Sequence, residues 1–387
     1  MIIPSEFHDT AKDLHAAAIA ATGLSDFGDS SSYMPGLQRF LDALDNNGPR
    51  FTAPGRTFVY NTLLGVLIAR LLTEQGWKDH PDCLDVPIRR PVIILGVPRT
   101  GTTALHKLLS MDPVFQGIER WLAAFPMPRP ARSEWEQNPW YQACSAGLEE
   151  FFTHAPEMRA AHDMRPEDVD ECLEILKQDF CSNYYGSTFR VPEYDTWWHQ
   201  QDELPSYRRL YKLLQLIGYH SPNQTWLLKN PGHLAEVDAL LDIFPDACII
   251  HTHRHPTTTI PSLCSVLHQA RGITEGDNAD PQEIGVRELD YWSQAVEKAD
   301  RARERAPQQF FDVSQRDLHR DPMGIVRRIY EHFNLTLSPQ AEARMLQRIE
   351  QAPEAQHGQH HYSASDFGLS DQTIKSQFKG YIEKYQL

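Results

Sequence analysis

The stretch Gly96-Val97-Pro98-Arg99-Thr100-Gly101-Thr102-Thr103 gathers glycines, hydroxyl side chains and one arginine between two apolar segments. Before it runs the β-branched sequence Val92–Leu95, and after it Ala104, Leu105, Leu108 and Leu109 recur at helical spacing. A strand, a turn and a helix start follow from that pattern. Free backbone N–H groups and the positive end of the helix dipole converge at such a start, and both favour a bound phosphate. The spacing from Gly96 to Gly101 fits the first part of the nucleotide-binding GxxxxGK[ST] loop, but Thr102 stands where that loop needs lysine. Arg99 supplies a cation from inside the turn instead.

Other residue patterns exclude chemistry. No GxSxG elbow is present, so a Ser-His-Asp hydrolase of that kind finds no support. The six cysteines, Cys83, Cys144, Cys172, Cys181, Cys248 and Cys264, form no CxxC pair and read as buried thiols, with the reactivity of Cys264 open. His251, His253 and His255 alternate and on a strand would share one side. No carboxylate or cysteine is spaced near them and Arg254 lies between them, so no metal is expected; buried, hydrogen-bonded histidines are the better account.

The elements that would position the loop are strands alternating with helices. Strands are expected at 226–228, 248–252 and in Gln309–Ser314, each followed by a helix, the last with Asp321 as N-cap and Pro322 at its first position. That alternation predicts an α/β fold with a mainly parallel central sheet covered on both faces. One domain over 1–387 is expected. It comprises a helical N-terminal region at 1–90, an α/β core at 91–114 and 221–340, an inserted aromatic-rich helical region at 115–220, and a C-terminal part at 341–387. The insertion carries Trp121, Phe125, Trp135, Trp140, Tyr141, Phe151, Phe152, Tyr184, Tyr185, Trp197 and Trp198, which suit either an apolar acceptor pocket or lid or a second core layer.

PRTGTT at 98–103 resembles the PRSGTT or PKSGTT signature of sulfotransferases that use 3′-phosphoadenosine 5′-phosphosulfate (PAPS). The stretches FPDACIIHTHRHP and FFDVSQRDLHRDPMGIVRRIYEHFNL resemble the middle and late portions of bacterial members, and HGQHHYSASDFGL resembles their terminal loop. The resemblance covers about residues 90–370, the insertion matching least. It implies a P-loop-type three-layer α/β/α fold. It implies PAPS as sulfuryl donor, PAP as product and no metal.

Carried over position by position, the resemblance makes Arg99, Thr100, Gly101, Thr102 and Thr103 the grip on the 5′-phosphosulfate. Arg254 and Ser262, eight residues apart, become the grip on the 3′-phosphate, and His357 and Gly358 part of a closing loop. Where relatives commonly carry lysine before His-Gly, this chain has Gln356. Lys229, at the end of an expected strand, joins Arg99 as a cation near the transferring group, and Glu119 matches the carboxylate that several relatives use as base. His154, His162 and His233 are open as helpers or replacements for Glu119, with His162 counted among the catalytic candidates.

Two other readings remain open. A small-molecule kinase would need lysine at 102, an aspartate ending an inner strand, and magnesium. A non-catalytic PAP-binding protein would bind the nucleotide without forming product.

Bulk properties narrow the partners. The chain has 387 residues, 41% of them hydrophobic, and a formal net charge of −15, which suits a globular protein and argues against nucleic-acid binding. No run approaches the roughly 20 apolar residues of a membrane span, and no basic segment precedes the Ala-rich start, so a cytoplasmic location is expected. The expected partner is a hydroxyl-bearing acceptor, a small molecule, lipid or carbohydrate with apolar or aromatic surface.

Overall fold

A computed structural model describes residues 3–46, 51–154, 164–351 and 363–387. The chain forms two compact units. One comprises Met1–Pro87, Ile118–Asn223 and Ala270–Ala279, and the other Ile88–Gly117, Gln224–Gln269 and Asp280–Leu387.

The second unit is built on a five-stranded sheet, all pairs parallel, in the order β2-β3-β1-β4-β5. Its strands are β1 (Val92–Leu95), β2 (Phe115–Gln116), β3 (Thr225–Lys229), β4 (Cys248–His253) and β5 (Phe310–Ser314). β1, β3 and β4 fall where sequence alternation expects them. β2 was not foreseen, because two residues carry no periodicity and pair only through the register of Phe115 with Thr225 and Gln116 with Trp226.

The two faces of the sheet differ in content. Val92, Ile94, Leu227, Cys248, Ile250 and Val313 pack with Leu105, Leu108 and Leu109 of the helix Thr102–Leu109 and with Ile325, Val326 and Ile329 of the helix Pro322–His332. The latter helix starts as expected, the Asp321 carboxylate accepting from the Gly324 amide at 2.8 Å and Pro322 following it. By the period-two rule Ile249, His251 and His253 face the other way. There His253 meets Tyr381 and Tyr385 of the C-terminal helix Lys379–Tyr385.

The first unit is helical. Its longest helix, Ala53–Asp79, is capped by the Thr52 hydroxyl, which accepts from the Gly55 amide at 3.0 Å. On that helix the fully buried Arg70 donates to the Phe27 and Gln178 carbonyls and to the Asp179 carboxylate at 2.6 Å, so its charge is both paired and hydrogen-bonded. Many aromatics of the insertion are core here. Tyr185 lies 4.6 Å from Phe40 of the N-terminal helix Met34–Asn46, and Trp121 meets Trp135 and Tyr141 edge-on at 5.6 and 5.8 Å. Phe125 and Trp140 are only half-buried and stack at 4.8 Å.

Candidate active site

β1 sits in the sheet with β3 on one side and β4 on the other, and the chain passes from one side to the other between β3 and β4. In open α/β sheets ligands bind where the strand order reverses in this way, beyond the carboxyl ends of the strands. The loop Gly96–Thr103 occupies that place.

Its backbone is tightly specified. Gly96 adopts φ +146°, and a Cβ there would lie 2.5 Å from the Thr252 carbonyl oxygen, so only glycine fits against β4. Arg99 takes φ +72°, the left-handed region that non-glycine residues rarely enter, and Gly101 follows at +95°. Strain of this kind persists where the surroundings over-determine a conformation, and here it turns the chain so that the helix Thr102–Leu109 begins immediately. Thr100 helps to hold the turn. Its hydroxyl donates to the Val97 carbonyl at 2.7 Å and pairs with the Thr252 hydroxyl at 2.6 Å, and the side chain is fully buried. The Thr100 hydroxyl is therefore engaged inside the fold, and what the residue can offer a ligand is its backbone. Thr102 is also buried, while Thr103 is exposed at the helix start.

Five of the expected residues meet around this turn. Arg254, just past the end of β4, donates from Nη1 to the Arg99 carbonyl at 3.2 Å. Arg99 donates from Nε to Ser262 Oγ at 3.2 Å, on the helix Pro256–Glu275. Lys229, the last residue of β3 and buried, donates to Thr103 Oγ1 at 3.3 Å. Three cations thus contact carbonyl and hydroxyl oxygens at one helix start, which concentrates positive charge locally in a chain of net charge −15. Beneath them His106 is buried, and burial together with the Lys229 charge pushes it down to about 3, so it stays neutral.

Glu119 lies in the first unit, as N-cap of the short helix Arg120–Ala124. Its Oε2 accepts from Arg129 Nε and Nη2, both at 3.0 Å. Backbone pairing brackets it: the Arg120 amide donates to Asp168 and the Asp170 amide to Ile118. That pairing brings in Asp170, which spacing alone did not single out. Burial, opposed by Arg120 at 3.0 Å, raises the Asp170 carboxyl to about 6, within reach of acid–base work near neutrality. The acid-rich run Glu167–Asp170 is the available sequence signal; its proximity to Glu119 needs the tertiary pairing.

The remaining candidates divide. His162, His357 and Gly358 lie outside the described residues, as does Gln356. His154 ends the helix Pro139–His154. His233 is fully buried and pushed down to about 3 by burial, which makes it a weak base. Cys264 is buried and its thiol is driven well up by burial, so it is a poor nucleophile.

The alternating histidines need a correction. His251 and His253 do share a face, but β4 ends at His253, and His255 lies in the following turn, where its Nδ1 contacts the Thr257 hydroxyl at 2.7 Å. A carboxylate is present after all: the β4–β5 register sets Asp312 beside His251, and His251, His253 and Asp312 offer ligand atoms within 4.8 Å of one another. Sheet pairing brings together positions that are distant in sequence.

A parallel sheet with an arginine-bearing loop at its switch point is an α/β fold of the P-loop nucleotide-binding type. Residues 91–339 match the sulfotransferase family, and the chain belongs to that family. It superposes with a TM-score of 0.85 on the sulfotransferase STF1 of Mycobacterium tuberculosis H37Rv, at 38% identity, covering 97% of this chain and 100% of that one. STF9 of Mycobacterium avium gives the same TM-score at 29% identity, covering 97% and 96%. The omega-hydroxy-beta-dihydromenaquinone-9 sulfotransferase Stf3 of Mycobacterium bovis is 26% identical over 257 residues, 63% of each chain.

Proposed function

We propose that this chain transfers the sulfuryl group of PAPS to a hydroxyl of an acceptor with extensive apolar surface. The observation that carries the reading is the convergence of Arg99, Arg254 and Ser262 on one turn at the helix start, linked by hydrogen bonds of 3.2 Å. Two separated anionic groups need two grips. The amides at Thr102 and Thr103 with Arg99 and Lys229 suit the 5′-phosphosulfate, and Arg254 with Ser262 suits the 3′-phosphate.

In the transfer the acceptor oxygen bonds to sulfur as the bond between sulfur and the 5′-phosphate oxygen breaks. The acceptor proton passes to Glu119, and the electron pair stays on the phosphate of departing PAP. Arg99 and Lys229 offset the charge that grows on that oxygen, a role that needs in-line positioning and fixed cations rather than a metal. Thr102, in the place of the lysine of a nucleotide kinase, disfavours phosphoryl transfer from ATP. The half-buried stacked pair Phe125–Trp140 and the omega-hydroxylated dihydromenaquinone in the name of Stf3 support a lipid-like acceptor.

The test is binding of PAP followed by thermal shift. Because a ligand that binds only the folded state raises its melting temperature, PAP raises the Tm of the unaltered protein, and Arg254→Ala loses most of the rise. An equal shift in both proteins removes Arg254 from the site.

A further inference from the structure

On the sheet face opposite the helix Thr102–Leu109, the end of β4 is tied to the C-terminal helix by a directional chain of polar groups. His253, the last residue of β4, directly precedes Arg254 in the sequence. Tyr381 Oη lies 3.0 Å from His253 Nδ1, and His253 Nε2 lies 2.9 Å from Asp312 Oδ1. Arg303 closes the chain with a two-pronged bond to both Asp312 oxygens, each at 2.7 Å.

The chemistry of the groups sets every donor. Burial favours the protonated form of Asp312, but the bonds from His253 and Arg303 outweigh it and hold the carboxyl well below its usual range, so it only accepts. The proton on His253 therefore sits on Nε2. Burial keeps the ring neutral, which leaves Nδ1 as an acceptor for the Tyr381 O–H. No group in the series is left with a clash of donors. The Tyr385 ring stacks on His253 at 3.9 Å, and its hydroxyl donates to Asp300 at 2.6 Å, which fixes the imidazole from the side. Tyr381 is itself buried, so its hydroxyl has a strong reason to keep its bond to His253.

Arg254 is the residue this chain fixes. The strand ends at His253, so the residue that Tyr381 and Asp312 hold between them is the one from which the backbone of the arginine continues. A side chain that must present a fork of donors to a phosphate depends on where its Cα is held.

We propose that Tyr381 is a positioning residue for nucleotide binding: through its hydroxyl, bonded to His253 and backed by Asp312, the C-terminal helix sets the backbone of Arg254 and so the affinity for the 3′-phosphate. The inference rests on the assignment of Arg254 to the 3′-phosphate in the reading above.

The experiment compares two nucleotides. Binding of PAP and of adenosine 5′-monophosphate, which lacks the 3′-phosphate, is measured by calorimetry for the unaltered protein, Tyr381→Phe and Arg254→Ala. Loss of one buried hydrogen bond predicts PAP binding about tenfold weaker in Tyr381→Phe, with adenosine 5′-monophosphate binding unchanged. The KM for PAPS rises by a similar factor while kcat at saturating donor stays within about twofold. A general loosening of the fold would weaken both nucleotides alike, and that result overturns the proposal. His253→Leu, which removes the acceptor of the Tyr381 hydroxyl, gives the same PAP-selective loss and serves if Tyr381→Phe does not fold. Unchanged PAP binding in Tyr381→Phe, with loss in Arg254→Ala, sinks the positioning role alone. Unchanged PAP binding in Arg254→Ala sinks the assignment of the phosphate site itself.

Discussion

The loop region of the second unit and the Glu119 region of the first handle charge in opposite ways. Around the loop, Arg99, Arg254 and Lys229 reach in turn a hydroxyl, a carbonyl and a hydroxyl, oxygens that carry no formal charge. In the first unit charges are matched: Glu119 with Arg129, Arg120 with Asp170, Lys177 with Glu174 and Arg70 with Asp179. A site that must receive an anionic donor benefits from cations held by neutral groups, because a carboxylate partner would have to be displaced first. A scaffold that buries ionised side chains has the reverse need, and satisfies it by pairing.

Substitutions can break this contrast. In Glu119→Gln the turnover number falls by about 10²–10⁴-fold, the span of general acid–base catalysis, while PAP binding is unchanged; steady-state kinetics beside calorimetry check both. Full turnover in that variant would pass the role of base to another group, Asp170 being the titratable neighbour. Trp121→Ala, which empties a fully buried site packed on Trp135 and Tyr141, costs about 3–5 kcal/mol in urea unfolding and shows that the first unit's aromatics act as core.

The pH dependence of stability probes the buried histidines. His106 and His233 titrate near 3 when folded and near 6.5 when unfolded, so below pH 6.5 the unfolded chain binds protons the folded one does not. Both contribute nothing above that pH. As pH falls from about 6.5 toward 3, each removes about 1.4 kcal/mol of stability per unit. Denaturant titrations across this window show a shallower slope for His233→Gln than for the unaltered protein. An identical slope would mean that His233 is already open to water in the native state.

Much of the site in the second unit was legible because it is local. Gly96, Arg99 and Gly101 sit within one turn, the strand before and the helix after announce themselves by periodicity, and Arg254 and Ser262 lie on one strand–helix junction. The Glu119 region was less legible, since what surrounds that carboxylate comes from Arg129 and from the pairing with Val169, neither of which has a fixed spacing. The edge strand β2 was invisible for a related reason: a two-residue strand is defined by its neighbour.

Sequence by itself determined the alternation of strands and helices, the phosphate loop and the absence of lysine at Thr102. It also determined the residue types available to hold two phosphate groups. Short-range sterics and hydrogen-bonding capacity decide these things, and they are properties of neighbouring residues. Tertiary structure decided which side chains remain able to meet a ligand. It engaged the Thr100 hydroxyl with Thr252, neutralised His106 and His233 by burial, and gave Asp312 to the β4 histidines. It also gave His253, the neighbour of Arg254, a partner in Tyr381, more than a hundred positions away along the chain. Solvation and long-range pairing control those outcomes, and neither is set until the sheet has closed over its helices.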